Sequence, residues 1–130
     1  MPAVPHVTDQ HLDRLIADLD SNEFAVREKA VRELESLGEL ATPSCEKALK
    51  RSRPIEVHRR LSRVLGVHKD RRQNPPAVVL RSLRALEALE MTAAATASKV
   101  LTRMSQGAPA SRITIDAKAS LERLRRRLGL

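Results

Sequence analysis

The stretch FAVREKAVRELESLG, from Phe24 to Gly38, constrains the fold more than any other part of the chain. Val26, Ala30, Leu34 and Leu37 recur at i, i+4, i+8 and i+11, with Val31 and Phe24 beside them. That spacing lines one face of an α-helix. Glu23–Arg27 and Glu28–Arg32 are opposite charges four apart, in the order that supports an exposed helix face. Gly38 follows as a stop signal. One such helix cannot bury its own apolar stripe, so the stretch requires a partner.

The rest of the composition says what that partner is made of. The chain has 130 residues, 42% of them hydrophobic, yet Phe24 is its only aromatic. The core must therefore be built from Leu, Ala, Val, Ile and a few Met. Leu and Ala, with Glu, Lys and Arg, are strong helix formers, and the aromatic residues that favour strands are almost absent. The expected class is all-α.

A pass along the chain yields about seven amphipathic segments. Thr8 caps the first, with Val7 stapled onto Leu12, and Leu15, Ile16 and Leu19 continue its stripe. Asp20 and Glu23 have capping-box spacing before the Phe24 segment. Thr42-Pro43 reads as a cap followed by proline at the first helical position, with Cys45, Ala48 and Leu49 inside. Pro54 opens a helix carrying Val57, Leu61, Val64 and Leu65, which ends at Gly66. The polar stretch closed by Pro75 and Pro76 reads as a basic loop over 67–74. Asn74-Pro75 opens a helix with Val79, Leu83, Leu86 and Leu89 inside; Thr92 caps the next, and Thr114 the last. The expected organisation is a tail over 1–8 and a single helical domain over 9–128.

Internal similarity ties these segments together. Aligning Ala30 with Ala117 places Val26 on Ile113, Leu34 on Leu121 and Leu37 on Leu124. Each stretch follows another amphipathic helix and a polar turn, as the second helix of an antiparallel pair does. LIADLDSNEFAVREKAVRELESLG resembles a HEAT-like repeat: Leu15 and Leu19, the turn Asp20, Val26-Arg27, Ala30, then Leu34 and Leu37-Gly38. IEVHRRLSRVLG and ITIDAKASLERL are looser copies, lacking the Val-Arg pair. The resemblance implies a short HEAT-like α-α superhelix of the armadillo-like kind, its helices stacked as antiparallel pairs. It also implies structural roles for Asp20, Arg27 and Gly38. The helical block with its RALEALE segment is similar to modules that accompany WD40-type propellers in bacterial multidomain proteins.

No pattern in the chain implies catalysis. His6, His11, His58 and His68 are scattered without metal-ligand spacing, the four glycines form no phosphate-binding loop, and no Ser sits in a nucleophile elbow. Cys45 is a lone thiol, read as a small core residue. No cofactor, metal or small-molecule substrate is expected. No signal peptide or membrane span is apparent, so a cytoplasmic protein is the default expectation.

Charge is the remaining signal. Residues 1–46 carry four Lys/Arg against ten Asp/Glu, whereas residues 47–130 carry twenty against six. Arg59, Arg63, Lys69, Arg71, Arg72, Arg81 and Arg84 are candidate contacts for an anionic partner. Two functional readings follow. A non-enzymatic protein-interaction or scaffold module predicts an exposed apolar or charged groove along one helix layer. An electrostatic nucleic-acid binder predicts that Arg59, Arg63, Lys69, Arg71 and Arg72 converge on one surface. Arg-rich solvated faces also explain such residues without any ligand, and the interaction module is the preferred reading.

Overall fold

The structure is a computed structural model that describes residues 1–92 and 95–129. Among these residues there are seven α-helices, one short 3-10 turn and no strand. The fold is all-α. The helices are α1 (Asp9–Asp18), α2 (Phe24–Leu37), α3 (Thr42–Leu49), α4 (Ile55–Gln73), α5 (Ala77–Thr92), α6 (Ala95–Ser105) and α7 (Arg112–Leu128), and the 3-10 turn covers Gly38–Leu40. The chain forms two compact units, Val7–Asn74 and Met1–His6 with Pro75–Leu130.

In the unit over 7–74, α1 packs on α2, α3 on α4, α2 on α4 and α1 on α3. Short turns join α1 to α2 and α3 to α4, which makes each an antiparallel hairpin. Long-range hydrogen bonds give the direction of stacking. Arg60, near the start of α4, donates to the Leu19 carbonyl just before α2, at 3.0 Å. His68 and Arg71, near the end of α4, donate to the carbonyls of Leu34 and Glu35 near the end of α2, at 2.7 and 2.6 Å. Thus α2 and α4 run parallel, and so do α1 and α3. The core between the hairpins holds Leu12, Leu15, Ile16, Leu19, Ala30, Val31, Leu34, Cys45, Val57, Leu61 and Val64.

The start of this unit follows the expected chemistry. Thr8 accepts from the His11 amide at 3.1 Å, and Val7 packs on the core. Gly38 adopts φ 56°, a conformation that admits glycine without strain and ends α2. Three local expectations are corrected. Ser21, rather than an Asp20–Glu23 box, accepts from the Glu23 amide at 3.2 Å, because its hydroxyl lies two residues before that N–H. Arg27 donates to the Ser21 carbonyl at 2.7 Å and stacks on Phe24, so the Glu23–Arg27 pair does not form. Phe24 itself is 68% exposed and lies outside the core.

The segment expected as a loop over 67–74 is helical to Gln73. Gly66 does not stop α4, although a mid-helix glycine costs about 1 kcal/mol. The reason lies in packing. The buried stripe Val57, Leu61, Val64 continues one turn further through His68, which is 5% exposed. Lys69, Arg71, Arg72 and Gln73 are good helix formers, and the prolines at 75 and 76 supply the stop. Thr42 is likewise inside α3 rather than its cap; its hydroxyl lies 2.9 Å from His68 Nδ1 and 3.2 Å from the Gly38 carbonyl.

The other unit is built differently. α6 and α7 pack most extensively, and α5 packs on both, around Leu86, Leu101, Met104, Ala117, Leu121 and Leu124. The pairing of α6 with α7 matches the internal alignment: Ala117 and Ala30 are both buried, as are Leu121 and Leu34. Of the four apolar positions expected inside α5, only Leu86 is fully buried. Thr92 is the last residue of α5 and donates to the Leu89 carbonyl at 2.8 Å; residues 93 and 94, before α6, lie outside the described residues. Residues 1–6 dock on the α6–α7 turn, where the Ala108 amide donates to the Val4 carbonyl at 3.0 Å and His6 Nε2 donates to the Gln106 carbonyl at 2.8 Å. Gly107 permits that approach: a Cβ there would lie 2.9 Å from the Val4 nitrogen and 2.7 Å from Thr114 Oγ1.

Thr114 does not cap α7, which starts at Arg112 with Ser111 before it. It is fully buried, and its hydroxyl has no hydrogen-bond partner. A buried, unpaired hydroxyl costs about 1–3 kcal/mol. Thr114→Val keeps the shape and removes the polar atom, so it is expected to raise stability by about 1 kcal/mol in urea unfolding. A loss of stability would mean that the hydroxyl is satisfied in solution.

Candidate functional site

The sequence-derived cations fall into three groups. Arg59 and Arg63, four apart on α4, share an exposed face, as their spacing requires. With Arg60, and with Glu28 from α2 and Glu56, they line an open groove of about 300 Å³. Glu56 is bound to Arg59 at 2.8 Å, and Arg60 is committed to the Leu19 carbonyl. Arg71 caps the end of α2. At about 100° per residue, Lys69 and Arg72 leave α4 on a different side from Arg59 and Arg63. Arg81 and Arg84 are exposed on α5, in the other unit. The five cations expected to converge therefore do not form one row, and carboxylates interrupt the face on which two of them meet. What decides this is the helical state of 67–73, which fans the cations around α4.

Of the repeat positions, Arg27 donates to the Ser21 carbonyl in the α1–α2 connection, Gly38 ends α2, and Asp20 is exposed at its turn. Arg60, not Arg27, reaches between the hairpins. His58, two residues before it and in the position where the repeat pattern expects an arginine, gives no hint of that.

A second and larger groove lies between α1 and α3. It encloses about 460 Å³ and is lined by Asp9, Asp13 and Ala17 on one side and by Ser44, Lys47, Arg51 and Arg53 on the other, over Ile16 and Ala48. Sequence reading passes over it. A signal was present in the like-charge pair Asp9–Asp13, four apart on one helix face, a spacing that costs an isolated helix about 0.2–0.5 kcal/mol.

The groups whose protonation is displaced lie outside both grooves. Burial, with Glu46 nearby, pushes the Cys45 thiol up to about 11, so it stays protonated as a core residue. Burial also lowers the pKa of His68, against the opposing pull of its bond to Leu34. Its Nε2 must donate, since a carbonyl only accepts, and neutral Nδ1 then accepts from Thr42. Glu90 is held below the usual carboxylate range by its hydrogen bonds from Arg123, at 2.8 and 2.9 Å, and Arg127 donates to the Glu90 carbonyl. The arginines of α7 thus bind α5 as well as complementing their own helix end.

Among the described residues no three His, Cys, Asp or Glu side chains group so as to hold a metal ion, and no helix is long and apolar enough to cross a membrane. No family model matches this chain, and neither do any of the curated proteins or solved structures compared with it.

Proposed function

We propose that this chain is a non-enzymatic protein-interaction module built on HEAT-like helix pairs. The observation that carries the reading is the parallel stacking of α2 on α4, bridged by Arg60, His68 and Arg71. Stacked hairpins of this kind bury apolar stripes that one hairpin leaves open and present their outer side chains in grooves along the helix layers. Two such grooves, both rich in charge, run along the α1–α3 and α2–α4 layers. The displaced protonation states lie in the core or in a surface ion pair, which supports binding rather than chemistry.

Affinity capture from a native lysate after nuclease treatment tests the reading. Retained protein is the expected result; recovery of nucleic acid alone, lost after nuclease, would overturn it. The nucleic-acid reading makes a separate numerical claim. Arg59 and Arg63 are the two exposed cations lining the α2–α4 groove, and Arg59 is already paired with Glu56, so any DNA or RNA bound there should show a salt slope no steeper than about −2 in log affinity against log salt. A slope several times steeper, measured from about 50 mM salt upward, would restore the extended basic track.

A further inference from the structure

The groove between α1 and α3 has walls of opposite sign. Asp9 and Asp13 stand on α1; Lys47 stands on α3 and Arg51 just beyond it. These side chains line one groove, acidic on the α1 side and basic on the α3 side. Among the described residues no salt bridge crosses it. Its floor is apolar, with Ile16 and Ala48 each 4% exposed. Arg53 holds the lower edge by donating to the Ala48 carbonyl at 3.2 Å. Helix-dipole complementation accounts for Asp9, in the first turn of α1, and for Lys47, in the last turn of α3. It does not account for Asp13 or Arg51.

The geometry points to a docking groove for a polypeptide segment of mixed charge. The segment presents Lys or Arg side chains to Asp9 and Asp13 and carboxylates to Lys47 and Arg51. A purely anionic ligand would meet the two aspartates, and a purely cationic one the basic wall; only a ligand carrying both signs is matched by both walls. The volume of about 460 Å³ suits a few residues of such a segment. This inference rests on the interaction-module reading and narrows it to one groove and one class of partner.

Fluorescence anisotropy with four labelled probes of equal length tests it on the full chain: an alternating Lys-Glu peptide, oligolysine, oligoglutamate and a single-stranded DNA. The alternating peptide should bind most tightly at about 50 mM salt and be released as salt rises. Two double variants, Asp9→Asn with Asp13→Asn and Lys47→Gln with Arg51→Gln, should each weaken it by about 3- to 10-fold. All four changes are at exposed or rim positions, and unchanged helical circular dichroism verifies folding. A swap variant, Asp9→Lys with Asp13→Lys, should move the preference to oligoglutamate. Equal binding of the alternating peptide and either homopolymer would overturn the inference. So would tighter DNA binding by the Asp-to-Asn variant combined with weaker binding by the Lys/Arg-to-Gln variant, the signature of a polyanion site. Lysate capture that survives both double variants would remove this groove while leaving the interaction module standing.

Discussion

Truncating Leu34 to alanine is expected to lower the unfolding free energy by about 2–5 kcal/mol, whereas truncating Phe24, the one aromatic side chain, should cost less than about 1 kcal/mol. The contrast follows from position. Leu34 is 0% exposed between the two hairpins, and Phe24 is 68% exposed. A core that is close-packed cannot collapse fully around a deleted isobutyl group, so the lost transfer energy and the cavity add. Phe24 loses only its stacking with Arg27, at 5.8 Å. Urea unfolding followed by far-ultraviolet circular dichroism checks both, since the chain has no Trp or Tyr to report by fluorescence. Comparable losses from the two truncations would place Phe24 in the core and contradict the fold.

The second large effect is centred on His68. Replacing it with leucine removes the donor to the Leu34 carbonyl and the partner of Thr42, for an expected loss of about 1–3 kcal/mol near neutral pH. Acid should narrow that difference. The folded-state pKa of His68 lies below its ordinary value of about 6.5, so below that pH the unfolded chain binds a proton that the folded chain resists. Stability therefore falls as pH drops below about 6.5 and stops falling, as far as this group is concerned, once the folded imidazole is also protonated. The leucine variant lacks this contribution. Thermal or urea unfolding across that range, wild type against His68→Leu, measures it; parallel pH profiles would show that burial does not suppress protonation of this imidazole.

These two residues mark where sequence reading succeeds and where it stops. Leu34 is legible because its neighbours at four-residue spacing are apolar and the same spacing returns around Leu121. His68 is not, because a polar side chain at the next buried position looks like the end of the stripe. The loop expected over 67–74 rests on Gly66 as a stop and on the polar, proline-closed stretch after it, and the buried position of His68 is what carries the helix past both. Capping errors at Thr42 and Thr114 have a related cause. A threonine near a helix start can point its hydroxyl back to the first amides or into the interior, and the choice depends on neighbours far away in the chain.

The candidate site was legible only in its ingredients. Arg59 and Arg63 share a face because four residues complete about one turn, which needs no tertiary information. Their sharing a groove with Glu28 needs α2 beside α4. Likewise Asp9 and Asp13 are visible as a like-charge pair, but their opposition to Lys47 and Arg51 exists only once α1 lies beside α3.

By itself, then, the sequence determines an all-α chain: helix-forming composition, apolar stripes and a glycine at Gly38 are local properties, settled within a turn or two of the backbone. The tertiary structure decides which polar side chains find distant partners. Arg60, His68 and Arg71 find carbonyls at Leu19, Leu34 and Glu35, between 34 and 41 residues away. The His68 bond, the one of the three that is buried, is strengthened because packing has excluded water around it, and that exclusion is a property of the assembled hairpins rather than of any one segment.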